Sequence, residues 1–590
     1  MQLTAEQQVI LSTNHDLVIN AVAGSGKTTT LIAYAKSRPV NSRILYLAFN
    51  KTVKTEALSK FAAAGVQNVK VETAHSLAYD YIVKHSQYQV VQGYKSYEWC
   101  SMLNIITGDR HADFIVANHV NKFISYFCNS KAAKVQELDY SATITEPKAM
   151  LFVKNFYPLI ETVTRTALSK MDKAEIAVTH DFYLKKFQLS KPVLPYDYIL
   201  FDEGQDASAA MLVVFLQQPA IKIIVGDTHQ QIYGWRYAIN SLQQVDFPVY
   251  NLTNSFRFND EIALVANKIL DWKKQLDQQP AIKIIGCGKP DNNSSTKATL
   301  GRSNLGLLLN AITQWQSGEI ASLFFEGNIN SYTFADEGAS LYDVLNLHNG
   351  KTDKIKDKLI AEMGSMKELE DYVEKTEDNS LSMIIEVVKE FGNKLPGLIS
   401  ELKTNHTTTK EDADMIFSTV HRCKGMEYNE VTLLNDFITE EKLAKHIGKY
   451  EVEEMTEVDR NRLAEEINIL YVAATRAKNI LKIPSEINPL KSLQIVEGVP
   501  QNTVKKTYYS KNKQSNDDWE MYSRKEYSRS NTSPGKNQIT NSGKKWTHDE
   551  EEQLETLFHS GISLKEIAQT LSRGENGVKI KLANLGLEGY

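Results

Sequence analysis

Four cysteines in 590 residues, Cys100, Cys128, Cys287 and Cys423, stand too far apart for metal-ligand spacing or a disulfide framework. This excludes a disulfide-stapled secreted scaffold and points to a reducing cytoplasm. The chain lacks any apolar run of the ~20 residues that a membrane span needs, so no membrane partner is expected. Met1 to Ile10 has no basic stretch leading into an apolar core, and no secretory signal is read there. Excess positive charge is also missing: 67 Lys and Arg stand against 72 Asp and Glu, a net charge of −5. Any nucleic-acid site must then be a local basic and aromatic surface, since no global field would draw in phosphate.

What is present is enough apolar material, 42% of residues, for several globular cores. The length suggests roughly four domains. Leu17-Val18-Ile19, Ile44 to Leu47, Tyr198 to Phe201 and Ile221 to Val225 read as buried strands alternating with helical patterns, the signature of a parallel, doubly wound sheet. A second strand-and-helix series runs from about Val249 to Phe324 and resumes at Met415 to Phe417 and Val431 to Leu434. Each series is interrupted by a helical insertion. The expected organisation is a first α/β domain over 1–90 and 180–252 with an insertion over 91–179. A second α/β domain follows over 253–339 and 413–500, with an insertion over 340–412. Residues 501–543, rich in Ser, Asn, Lys and Tyr, read as a flexible linker. No solenoid-type repeat is found.

Ala21-Val22-Ala23-Gly24-Ser25-Gly26-Lys27-Thr28 follows a strand and opens a helix, although Ala21 stands where the pattern has Gly. It reads as a phosphate loop: backbone N–H groups and the helix start cradle phosphates, Lys27 reaches the β/γ oxygens and Thr28 holds Mg²⁺. Asp202-Glu203 ends the strand from Tyr198, at the edge that faces the ligand crevice of a parallel sheet. Asp202 is placed to hold the metal and Glu203 to orient and deprotonate the attacking water. Phosphoryl transfer also needs cations on the γ-phosphate, and Arg257 and Arg476 are the candidates. Either alone reads more simply as a surface ion-pair partner.

The order and spacing of further blocks resolve this. Leu3-Thr4-Ala5-Glu6-Gln7, the phosphate loop, Ala48 to Lys51, Thr73 to Ala78, Asp202 to Asp206, Gly226 to Arg236, Leu252 to Arg257, Thr419 to Tyr428 and Glu465 to Lys478 follow one another along the chain. Together they resemble, over about Leu3 to Ile483, the motifs of the UvrD/Rep/PcrA group of superfamily 1 DNA helicases. The resemblance implies two RecA-like domains with ATP and Mg²⁺ between them. It implies that Gln7 reads adenine, that Ala23, Gly24, Ser25, Gly26, Lys27, Thr28 and Thr29 hold the phosphates, that Phe256 stacks on the base and that Glu427 bonds the ribose. Gln230 is implied to sense the γ-phosphate, with Arg257 and Arg476 clamping it. Phe49, Asn50, His75, Trp235, Arg236, Thr419 and His421 fall at positions associated with single-stranded DNA, where aromatic rings stack on bases and polar groups hold phosphates. Where the group usually has Gly after Trp-Arg, this chain has Tyr237.

Leu47 to Lys51, Thr73 to Ala78 and Phe325-Glu326-Gly327 with Asn330-Ser331-Tyr332 resemble the F-box DNA helicase branch, but the glutamine block begins at Leu3 and no F-box is read before it. The implied function is 3′→5′ translocation on single-stranded DNA and unwinding of duplex, in DNA repair, recombination or replication. The alternative is a translocase that displaces proteins with little unwinding. The implied location is cytoplasmic, at the nucleoid in a prokaryotic or viral setting and nuclear in a eukaryotic one.

After the linker, Thr547-x-x-Glu550 and Ser563-x-x-Glu566 are capping boxes. With a third helix from about Asn576 to Leu585, residues 544–590 resemble a three-helix, helix-turn-helix module. DNA contact and docking of a protein partner are both open to it.

Overall fold

The structure, a computed structural model, describes residues 3–276, 278, 282–289, 296–327, 329–332, 341–448, 455–490, 550, 554, 564–571 and 573–584. The chain divides into two compact units, 1–499 and 500–590.

The larger unit is built on two parallel sheets. The first contains β1 (Leu17–Ala21), β2 (Ile44–Ala48), β3 (Val69–Thr73), β4 (Tyr198–Phe201), β5 (Ile221–Gly226) and β6 (Val249–Leu252), in the order β3-β2-β4-β5-β1-β6. Every pairing is parallel. Strands β2 and β4 are buried throughout and β1 at every position but Asn20, which is why they read as apolar runs. Val249–Leu252, read as the start of the second series though inside the 180–252 span given to the first domain, pairs with β1 and closes the edge of the first sheet. The second sheet contains β7 (Lys297–Gly301), β8 (Leu323–Phe325), β9 (Met415–Thr419), β10 (Tyr428–Leu433) and β11 (Ala477–Lys482), in the order β8-β9-β7-β10-β11, again parallel. This is the mixed α/β architecture expected of two RecA-like domains.

Between β3 and β4 lie long helices, chiefly Arg110–Asn129 and Pro147–Asp172. A two-residue parallel pairing of Val90-Val91 with Val178-Thr179 ties the neck of this excursion. Among the described residues between β8 and β9 lie five further α-helices, including Met366–Thr376 and Asn379–Phe391. The two excursions pack on each other. His119 Nε2 donates to the Lys375 carbonyl (2.9 Å), and Glu377 accepts from the Thr145 and Glu146 amides (2.8 and 2.7 Å).

In the smaller unit, helices Leu564–Thr570 and Glu575–Asn584 share a core of Leu554, Ile567, Ala568, Leu571, Val578 and Leu582. Arg573 pairs with Glu550 at 2.8 Å. The expected linker, 501–543, and the capping residues Thr547 and Ser563 lie outside the described residues. Among the described residues no helix is long and apolar enough to cross a membrane.

Candidate nucleotide cleft and nucleic-acid face

The phosphate loop leaves β1 and enters helix Lys27–Lys36. Gly24 and Gly26 take left-handed backbone angles, φ +75° and +81°. A Cβ on Gly24 would come within 2.6 Å of Arg257 Cβ, so glycine is needed there both for conformation and for close approach. Phe256 N donates to the Gly24 carbonyl at 2.9 Å, which brings the strand after β6 directly onto the loop.

Lys27 Nζ lies 2.9 Å from Glu203 Oε1. Burial opposes the Lys27 charge, but Glu203, Asp202 and Asp227 together hold its pKa above the usual value. Burial also works against the Glu203 carboxylate, yet Lys27 and Lys424 overcome it and keep Glu203 ionised. Asp202 goes the other way: burial and the neighbouring Glu203 charge raise it, while Tyr46 OH donates to its Oδ2.

Gln230 is the meeting point of both sheets. Its Nε2 donates to Asp227 Oδ2 at 2.8 Å, and its Oε1 lies 3.4 Å from Arg476 Nη2. Arg476 is 1% exposed and also donates to the Val472 and Met426 carbonyls. Burial, reinforced by Arg257, lowers its pKa to about 10. Arg257 pairs with Glu427 at 2.9 Å and donates to the Thr475 carbonyl. Thus Lys27, Glu203, Gln230, Arg257 and Arg476, far apart in sequence, line one cleft. Its open side, about 520 Å³, is lined by Gly24, Phe256, Arg257, Cys287, Lys289, Glu427 and Lys478. Gln7 is placed behind the loop, in a capping box with Thr4 and donating to Thr30 Oγ1 at 3.0 Å. Thr28 is half-buried and Thr29 exposed at the helix start.

Two features fit phosphates and a divalent cation. Ser25 Oγ is buried in the loop without a hydrogen-bond partner. Thr28, next to Lys27 at the helix start, and the pair Asp202-Glu203 offer hard oxygen donors, and a cation there would offset the burial and the Glu203 charge that raise Asp202.

Of the residues expected at DNA, Phe49 stacks on Tyr233 (5.6 Å, 20° between planes). Trp235 is 60% exposed, with the Arg236 guanidinium 4.5 Å from its ring. Asn50 is exposed and caps helix Lys51–Ala63 by accepting from Val53 N. His75 is exposed and meets His180 and Tyr183 edge-on. Thr419 is buried, and His421 Nε2 donates to the Ile232 carbonyl at 3.0 Å. His421 lies beside Tyr233, whose hydroxyl donates to its carbonyl at 2.9 Å, whereas Thr419 ends β9 within the second sheet.

Sequence reasoning passed over several residues. Tyr471 is fully buried; its hydroxyl donates to Asp227 Oδ2 (2.9 Å) and lies 3.4 Å from Ala23 N, linking the phosphate loop to the segment after β5. Lys424 reaches both Asp206 and the Gln230 carbonyl. Asn468 Nδ2 donates to the Gln231 carbonyl (2.8 Å), and Glu465 Oε1 accepts from Gly234 N (3.1 Å). A Cβ at Gly234 would stand 2.5 Å from Glu465 Oε2. Tyr233, Asp227, Lys424 and Tyr471 all lie inside the sequence blocks singled out above, which was the available signal.

Residues 3–246 match the UvrD/REP helicase N-terminal domain and residues 332–486 the UvrD-like helicase C-terminal domain. The chain belongs to the UvrD-like helicase family. It is similar to F-box DNA helicase 1 of Gallus gallus, 29% identical over 84% of this chain and 50% of that protein. F-box DNA helicase protein 1 of Schizosaccharomyces pombe is 28% identical over 83% of this chain and 58% of its own length. DNA helicase IV of Escherichia coli is 23% identical over 53% of each. The chain thus spans about half the length of these curated relatives.

Proposed function

We propose that this protein is an ATP-driven DNA helicase that moves 3′→5′ along a single strand and separates duplex ahead of it. The observation that carries the reading is the convergence of Lys27, Glu203, Gln230 and Arg476 in one cleft, with Gln230 on a segment that continues within five residues to the exposed Trp235. Lys27 and the loop amides bind the β/γ phosphates, and Phe256 and Glu427 take the base and ribose. Glu203, held ionised, orients the attacking water and takes its proton. Arg257 and Arg476 place positive charge where the γ-phosphate oxygens gain negative charge. Thr28 and Asp202 would hold Mg²⁺, which when bound neutralises charge on the β and γ oxygens. The Phe49–Tyr233 pair and Trp235 offer stacking surfaces to bases, and Arg236 a cation for phosphate.

The motor domains grip the strand alternately as the cleft closes and opens. The family's place in DNA repair and recombination, and the similarity to eukaryotic F-box helicases, support a role in DNA maintenance and a nuclear location in a eukaryotic setting. The module at 544–590 is read as a further contact, with DNA or with a protein partner.

The test is ATP turnover with and without single-stranded DNA, followed by strand separation on duplexes with a 3′ or a 5′ tail. Turnover indifferent to DNA refutes the motor. Preference for the 5′ tail refutes the polarity. Clearance of bound protein without strand separation selects the displacing translocase.

A further inference from the structure

The segment 227–237 is held by both halves of the motor. The second domain takes it residue by residue: Tyr471 at Asp227, Lys424 at Gln230, Asn468 at Gln231, His421 at Ile232 and Glu465 at Gly234. Its far end is held differently. Tyr237 stands in the left-handed region (φ +58°), which a bulky residue adopts only when its surroundings hold it there. Its hydroxyl donates to the Lys122 carbonyl at 3.1 Å, and its ring lies 5.2 Å from that of Tyr126. Both belong to helix Arg110–Asn129 of the first excursion. Lys122 in turn extends its ammonium to the carbonyls of Thr376 and Glu377, at the end of helix Met366–Thr376 of the second excursion. There a cation meets the negative end of a helix. One residue therefore receives the motor segment on its backbone and grasps the second insertion with its side chain.

We propose that Tyr237 is a positioning residue, a strut that delivers nucleotide-driven movement of segment 227–237 through Lys122 to the contact between the two helical insertions. Where the family usually has Gly, no side chain could make this connection; here the bond is direct. The strut rests on the reading of the cleft as a nucleotide site. Its work is to make the insertions move with the cleft during strand separation; ATP hydrolysis and single-strand binding do not need it.

The experiment uses the full chain with Tyr237→Phe, which removes the hydroxyl, Tyr237→Gly, which removes the strut, and Lys122→Met, which cuts the second joint. The first readout needs no DNA: hydrogen–deuterium exchange of residues 366–377, with and without a non-hydrolysable ATP analogue. The unaltered protein should show nucleotide-dependent protection there. The difference should shrink in Tyr237→Phe and vanish in Tyr237→Gly and Lys122→Met. The second readout is base pairs separated per ATP consumed, which should fall about fivefold or more, the low end of ordinary coupling between sites, while DNA-stimulated turnover stays within about twofold. Nucleotide-dependent protection that persists in Tyr237→Gly and Lys122→Met overturns the strut, as does unwinding per ATP that is unchanged. An unaltered protein whose insertions ignore nucleotide overturns it too. If Tyr237→Gly does not fold, the other two variants decide. Turnover that ignores DNA in the unaltered protein refutes the helicase reading instead, and the exchange measurement still judges the strut.

Discussion

Trp235→Ala separates two accounts of that side chain quantitatively. Removing a tryptophan from a core costs ~3–5 kcal/mol, because transfer energy is lost and a cavity remains. Trp235 is 60% exposed, on a one-turn helix, Gly234–Arg236, that buries no residue. Less than half its surface is out of water, and its loss leaves no closed cavity. The stability cost should stay below ~1.5 kcal/mol. As a stacking platform the same ring is worth roughly 1–3 kcal/mol per base, or roughly 5- to 150-fold in Kd. The assay takes one preparation through thermal melting, basal ATP turnover and titration with single-stranded DNA. The melting temperature and basal rate should hold, while the half-stimulating DNA concentration rises by that factor. The slope of affinity against salt should not change, because no phosphate-binding charge has been removed. A fall in melting temperature together with loss of basal turnover would refute the reasoning. So would unchanged DNA affinity per folded molecule.

Three further outcomes are expected. Lys27→Ala should fold, yet lose ATP turnover by on the order of 10²–10³-fold or more, measured by phosphate release. Arg476→Lys keeps a cation among the Val472 and Met426 carbonyls but loses the guanidinium fork. Its kcat should fall on the order of 10³-fold with KM for ATP within about threefold; a normal kcat with raised KM would make Arg476 a ground-state ligand. His119 is buried neutral between Tyr140 OH and the Lys375 carbonyl, and burial with nearby Lys122 lowers its pKa to about 4. The unfolded chain, with its pKa near 6.5, binds the proton first. His119 therefore costs no stability above pH ~6.5 and up to ~3 kcal/mol as the pH falls toward ~4. Denaturant titrations between pH 7 and 4.5 should show this dependence, reduced in His119→Gln.

The candidate phosphate loop, Ala21 to Thr28, was legible in the sequence because its pattern is local. Eight consecutive residues supply the turn, the amides, the ammonium and the hydroxyl, and the apolar runs on either side announce strand and helix. Asp202-Glu203 was legible for the same reason, at the end of a buried run. Arg257 and Arg476 were not distinguishable from surface arginines by their own surroundings; only the order of blocks marked them. Val249–Leu252 was read two ways, inside the first domain's 180–252 span and as the start of the second series, because an edge strand declares its sheet only through the neighbour it pairs with.

By itself, then, the sequence determined the kind of chemistry and the two-sheet plan, since those follow from residue type, spacing and periodicity within short windows. Tertiary structure alone decided which partners those residues meet. Tyr471 reaches Asp227 and Ala23, His421 reaches Ile232, and Tyr237 reaches Lys122, across more than a hundred residues in each case. It also decided that Trp235 faces solvent while Thr419 is buried. Such contacts arise from long-range packing of separate elements, and no local pattern encodes which side chain lies opposite another once two domains and their insertions have closed on one another.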